Sequence, residues 1–127
     1  MKQEISQIAL LVADYDEALE FYTQKLQFRL LEDTHLDEHK RWVRISPAGD
    51  SAFALLLAKA ANDEQMKFVG NQSGGRVFLF LKTDDFEKDR QNLIKHGVKI
   101  IREPVLESWG KVLVFADLYG NLWDLIG

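Results

Sequence analysis

The sequence predicts an α+β protein made of two copies of one module. Two stretches about 70 residues apart carry the prediction. The first is Gln7-Ile8-Ala9-Leu10-Leu11-Val12-Ala13-Asp14-Tyr15-Asp16-Glu17, the second Arg76-Val77-Phe78-Leu79-Phe80-Leu81-Lys82-Thr83-Asp84-Asp85-Phe86-Glu87. Each is an apolar run with one polar residue near its start, and each then enters a helix through Asp-x-x-Glu, Asp14 to Glu17 and Asp84 to Glu87 (84 − 14 = 70). An Asp N-cap accepts a backbone N–H and a Glu three residues on reaches back, so both helices are expected to open with a capping box. A third observation is that both halves read β-α-β-β-β. A duplicated strand–helix module predicts two half-sheets facing each other, and a cleft between them is the natural place for a site.

The elements follow in order. Residues 5–12 read as a buried strand. Residues 14–26 read as a helix whose apolar face is Ala18, Leu19, Phe21, Tyr22 and Leu26 at 3.6 spacing. Strands are expected over 28–32, 41–46 and 52–58, with polar turns at 34–40 and at Pro47-Ala48-Gly49-Asp50. The connection over 61–73 holds a short helix capped by Asn62, then the loop at residues 70–75. In the second half, 76–82 is a strand and 84–96 a helix stopped by His96-Gly97, with Gly97 as the left-handed terminator. Residues 98–102 are a strand, 104–110 a loop, 111–116 a strand, 117–121 a turn and 122–126 the last strand. Residues 1–127 thus read as a single domain of two modules, about 1–60 and 74–127.

Bulk properties exclude several classes. At 127 residues, with 46% hydrophobic and 28% charged residues, the chain has an ordinary globular balance. Zero cysteines rule out a disulfide scaffold, a thiolate metal site and a cysteine nucleophile. A net charge of −4 argues against a nucleic-acid partner. No apolar run approaches the roughly 20 residues that span a bilayer. Met1-Lys2-Gln3-Glu4 lacks the features of a signal peptide, so a cytoplasmic protein with no membrane partner is expected.

The order of elements, with Ile5-Ser-Gln-Ile-Ala-Leu-Leu-Val12, Asp14-Tyr-Asp-Glu-Ala-Leu-Glu-Phe-Tyr22, Lys25-Leu-Gln-Phe28 and Phe115-Ala-Asp-Leu-Tyr-Gly-Asn-Leu-Trp-Asp-Leu-Ile126, resembles the glyoxalase / bleomycin resistance protein / dioxygenase superfamily, the vicinal oxygen chelate fold. The likeness covers nearly the whole chain. One departure is Gln27, where that family usually has Gly, so Gln must hold a left-handed conformation at a cost of about 1 kcal/mol or the turn differs. The resemblance implies two βαβββ modules forming a U-shaped mixed sheet around a central cleft, often a homodimer, and in metal-dependent members one divalent ion chelated by vicinal substrate oxygens.

Carrying the family's four metal-ligand positions over by strand and parity gives Gln7, a residue at or beside Leu55, Arg76 and Asp124. Gln offers a carbonyl oxygen and Asp a carboxylate. Leu offers nothing, and Arg is always protonated with no lone pair to donate. This set is not expected to hold a catalytic transition metal, so no metal and no cofactor are expected. His35 and His39 lie in a polar turn, where their i,i+4 spacing carries no metal signature.

Side chains alternate faces along a strand, so Gln7, Ala9 and Leu11 share the cleft side, as do Arg76, Phe78 and Phe80, and Leu122, Asp124 and Ile126. Ligand-binding candidates are Gln7, Leu55, Arg76, Phe78, Trp109 and Asp124. Arg76 either binds an anionic group of a ligand or pairs with Asp124. Trp109 either stacks on a planar ligand or anchors its loop. Trp42 reads as a packing residue, and Asn71 and Gln72 as loop polarity or a lid. The leading function is metal-independent binding of a small, planar or anionic molecule. The alternatives are a metal-independent lyase, isomerase or epimerase with Asp124 as base and Arg76 stabilising an oxyanion, and an interaction module. Whether the chain is an enzyme stays open at this point.

Overall fold

The computed structural model describes residues 1–49 and 52–127. Asp50, expected in the turn after Pro47, lies outside the described residues. The chain divides into two compact units, Met1–Phe68 and Val69–Gly127, and the division falls within the connection expected at 61–73. The first unit holds β1 (Gln7–Val12), α1 (Tyr15–Glu20), β2 (Arg29–His35), β3 (Arg41–Ser46), β4 (Ala54–Lys59) and the short α2 (Asp63–Met66). The second holds β5 (Val77–Lys82), α3 (Phe86–Lys95), β6 (Ile100–Glu107), β7 (Gly110–Ala116) and β8 (Leu122–Ile126). The sheet orders are β1-β4-β3-β2 and β5-β8-β7-β6, each with one parallel pair and two antiparallel pairs. The two units therefore repeat one βαβββ topology in an α+β, glyoxalase-like fold.

The helix entries repeat less strictly than the sequence suggests. In α1, Asp14 caps as expected: Glu17 N–H donates to Asp14 Oδ2 at 2.8 Å. In α3 the cap is Asp85, not Asp84, and Lys88 N–H donates to Asp85 Oδ1 at 3.1 Å. Thr83 Oγ1 accepts from Asp85 N–H (3.0 Å), which carries the chain one residue further before it coils. Glu87 is then misplaced for a capping box and instead accepts from Arg90 and Gln91, both at 2.9 Å.

That single residue is recovered inside the first helix. Asp14 to Gln27 is 13 steps (27 − 14), and Asp85 to Gly97 is 12 (97 − 85). The extra residue is taken up by a π-helical turn over Phe21–Lys25, closed by Leu26 N–H to Phe21 O at 3.2 Å. One wide turn is how an α-helix absorbs one inserted residue without reversing its faces. Both helices then end on a left-handed residue, Gln27 at φ 62° and Gly97 at φ 68°. Of the two outcomes the sequence left open at Gln27, the left-handed residue is the one found.

One face of each sheet is buried under helix. In the first unit Leu10, Val12, Val43, Ile45, Leu55 and Leu57 are essentially inaccessible, and α1 with its π-turn contributes Tyr15, Ala18, Phe21 and Tyr22. Arg41 ties α1 to the sheet. Its guanidinium donates to both Asp33 carboxylate oxygens (3.1 and 2.7 Å) and to Asp16 (2.8 Å), and lies 5.1 Å over the Tyr15 ring. In the second unit Leu113, Phe115, Trp123 and Leu125 are buried with Phe86 and Leu93 of α3, and Phe115 stacks on Trp123 at 5.9 Å.

Residues 104–110 are not the loop the sequence suggests. β6 runs through Pro104 to Glu107, and the pair Glu107 and Gly110 closes a two-residue hairpin on Ser108-Trp109. Proline misleads here because β6 is an edge strand, where a missing N–H faces outward at no cost to the ladder. The turn after β7 is built on Asp117. Its Oδ1 accepts from the backbone N–H of Tyr119, Gly120 and Asn121 at 3.0, 3.0 and 2.9 Å, and its Oδ2 accepts from Asn121 Nδ2 at 2.9 Å. The loop at 70–75 is fastened to that turn. Gln72 N–H donates to Asn121 Oδ1 (3.3 Å), and a Cβ on Gly70 would fall 1.8 Å from Tyr119 O, so only glycine fits.

Gln27→Gly removes a side chain from a left-handed residue and is expected to stabilise the protein by about 0.5–1 kcal/mol in urea denaturation. Asp117→Ala removes the side-chain acceptor of the Tyr119 and Asn121 backbone N–H groups and of the buried Asn121 amide, and is expected to cost about 1–3 kcal/mol by the same measurement.

Candidate functional site

The face of each sheet turned away from its helix carries the polar residues. Register places four side chains in one row across the first sheet: Ala9, Leu56, Arg44 and Glu32. Gln7 lies on the same face, because Arg44 Nε reaches across β4 to donate to Gln7 Oε1 at 2.9 Å. Glu32 Oε1 stands 3.9 Å from Arg44 Nη1, close enough for charge attraction but too long for a hydrogen bond. The alternation of β3 explains the arrangement: Val43 and Ile45 go into the core, so Trp42 and Arg44 must face the other way.

The second sheet has the matching row Phe80, Asp124, Val114 and Arg102. Phe80 is 65% exposed. Burial pushes the Asp124 carboxyl above its ordinary range, and the nearby Arg102 charge pulls weakly the other way. The edge strands repeat even in their irregularity: a bulge between Leu30 and Glu32 recurs between Ile100 and Arg102 (100 − 30 = 70, 102 − 32 = 70). A bulge marks where a strand must re-aim its side chains, here onto the row.

Several candidates move in this frame. Leu55 is 1% exposed and pairs with Ile8 and Ile45 on the helix side, so it belongs to the core; its neighbour Leu56 faces the row. The sequence could place this position only at or beside Leu55, because every residue from Ala52 to Ala58 is apolar and gives no alternation to read. Arg76, Phe78 and Phe80 do not form one alternating set. A bulge between Val77 and Leu79 interrupts the pattern, and Arg76 lies before β5, exposed, with its carbonyl accepting from Ser73 Oγ. Among the described residues Arg76 makes no ion pair, and the cation acting on Asp124 is Arg102. Phe78 is half-buried beside the bulge, and Trp109 sits at the hairpin tip, 62% exposed. Sequence reading missed Arg44, Glu32 and Arg102. For Arg44 the signal was present: in Arg41-Trp42-Val43-Arg44-Ile45 the apolar parity alone turns it to the open face.

The family model described as "Glyoxalase/Bleomycin resistance protein/Dioxygenase superfamily" matches residues 4–125. The chain belongs to that superfamily. It is 55% identical over 127 residues to an uncharacterized protein of Shewanella frigidimarina (strain NCIMB 400), covering 99% of this chain and 94% of the relative. Among solved structures it is similar to UcmS2, with TM-score 0.86 and 25% identity over 99% of this chain and 98% of the other. It is also similar to TnmS3, described as an antibiotic binding protein from Streptomyces sp. CB03234, with TM-score 0.79 and 27% identity over 98% and 95% of the two chains.

The residues present do not fit the divalent ion of the superfamily's metal-dependent members. Gln7 Oε1 is engaged by a guanidinium, Leu55 is core, the adjacent Leu56 has no donor atom, and Arg76 cannot ligate. Asp124 is the one carboxylate of the four positions, and Arg102 lies near it.

A carboxyl whose folded-state pKa is raised binds more protons folded than unfolded, between the ordinary value of 3.8 and the raised one. Ionising Asp124 therefore costs stability as pH rises through that window. Asp124→Asn is expected to be more stable than the native protein at neutral pH, with the gain shrinking as pH falls towards 3.8. Urea midpoints measured across that range check it, and a constant gain would show that the carboxyl is not desolvated.

Proposed function

We propose that this protein binds a small, planar organic molecule on the open faces of its sheets without a divalent metal ion. The observation that carries the reading is the Arg44–Gln7 hydrogen bond, which sets a fixed positive charge on the oxygen that would be the first metal ligand. A cation is repelled there, while an organic ligand with acceptor oxygens is attracted. Each unit's open face has its own flat apolar group, the half-buried Trp42 beside Arg44 in the first and the exposed Phe80 beside Asp124 in the second. Likeness to TnmS3, an antibiotic binding protein, supports small-molecule binding as the class of activity. The same proposal places the protein in the cytoplasm as a homodimer, on family membership rather than on any contact in the structure.

The raised carboxyl of Asp124 favours a second reading, a metal-independent lyase or isomerase in which Asp124 takes a proton from a bound substrate. Arg102, across the row, would then stabilise the resulting oxyanion.

A thermal-shift screen of polycyclic planar compounds, run on protein dialysed against Ni²⁺, Zn²⁺, Mn²⁺ or Fe²⁺ and then analysed for metal, tests the proposal. Stabilisation by organic compounds with far less than one ion per chain is the expected result. Stoichiometric metal would overturn the metal-free reading, and a screen with no stabilising compound would overturn binding. Turnover of a hit that disappears in Asp124→Asn would move the assignment to the enzyme.

A further inference from the structure

We propose that Arg44 is the anion-recognising residue of a binding site on the open face of the Met1–Phe68 unit, and that this site takes a planar aromatic carboxylate whose ring lies on Trp42. The inference rests on the small-molecule reading above and names its ligand class.

Arg44 carries five N–H donors in a rigid fork. Nε is committed to Gln7 at 2.9 Å, and Glu32 is 3.9 Å from Nη1, beyond hydrogen-bond reach. Among the described residues the Nη1–Nη2 edge therefore has no hydrogen-bond acceptor, although the side chain is only 29% exposed. A guanidinium so placed is partly stripped of water and fixed in rotation by Gln7, with one edge of two parallel N–H groups still open. That edge matches a carboxylate, which it can hold bidentately.

The surroundings select among anions. Arg44 is the only cation of its row, and Glu32 stands at its end, so a dianion such as a phosphate would meet repulsion with one charge to offset it. A carboxylate monoanion is balanced by the one guanidinium. Leu56 and Ala9 continue the row as a low apolar floor, with Ala9 exposed and too small to fill the space above it. Trp42 lies two residues from Arg44 on the same face of β3 and is half-buried, so its ring is held while part of it stays accessible. A flat acid can place its carboxylate on Arg44 and its ring against Trp42 at once. Gln7 is then a positioning residue for Arg44.

The test uses the full-length ¹⁵N-labelled protein with 2-naphthoate as probe and 2-naphthamide as its neutral counterpart. The side-chain signals Arg44 Nε–H and Trp42 Nε1–H are followed during titration. The expected result is that naphthoate shifts both signals and binds more tightly than naphthamide. Arg44→Met is expected to weaken naphthoate about tenfold or more while leaving naphthamide unchanged. Arg44→Lys, which keeps the charge without the fork, is expected to weaken naphthoate as well, and it carries the test should Arg44→Met fail to fold. Gln7→Leu is expected to weaken naphthoate less than Arg44→Met and to broaden the Arg44 Nε–H signal. Naphthoate binding that survives both Arg44 variants, or that leaves the Trp42 signal unmoved, overturns the proposal. Failure of naphthoate to bind while a neutral compound from the thermal-shift screen does so also overturns it, and leaves the small-molecule reading standing. Failure of every compound overturns both.

Discussion

Each sheet has two faces and a helix to cover only one of them. A strand sends successive side chains to opposite sides, so the helix-covered side takes Leu10, Val43, Ile45, Leu55 and Leu57 in one unit and Leu113, Phe115, Trp123 and Leu125 in the other. Whatever the chain has to offer chemically must then stand on the remaining side. Gln7, Arg44 and Glu32 are brought together from three strands by this constraint, and Phe80, Asp124 and Arg102 from three others. No long-range charge arrangement is needed to assemble them. Core packing fixes the parity, and parity fixes the row.

The duplication acts as a second constraint, visible where the copies had to be reconciled. The first helix carries one more residue than the second between its cap and its left-handed end, and the Phe21–Lys25 π-turn absorbs it. Without the wide turn, every apolar contact after Phe21 would rotate by about 100° around the helix. The cost is borne by local geometry, so the edge-strand bulges can still fall 70 residues apart on the same rows. A repeat preserved this closely in backbone is free to diverge in side chains. Leu56 stands where the other copy has Asp124, and Arg44 and Glu32 stand where it has Val114 and Arg102.

That divergence separates fold from chemistry. The superfamily supports metal-dependent catalysis and ligand binding on one backbone, and membership alone does not choose between them. The choice is made by donor atoms. At the positions carried over as metal ligands, an amide oxygen is engaged by a guanidinium, one leucine is core and one arginine is exposed. Ala9 and Trp42 shape the open face of the first unit, and Phe80 that of the second.

The amino-acid sequence by itself determined the α+β repeat, the element order, the Asp14 cap and the polar parity of Gln7 and Asp124, because each depends on neighbours within a few residues or on strict alternation. It misplaced the Asp85 cap, the extent of β6 and the partner of Asp124, and it could not assign a face to Leu55. Tertiary structure decided those. The cap shifted through a hydrogen bond to Thr83, Pro104 was tolerated because its strand is an edge, and the uniformly apolar β4 took its parity from pairing with β1 and β3. The Arg44–Gln7 contact joins residues 37 positions apart in the chain, and only the folded sheet brings them within hydrogen-bond distance.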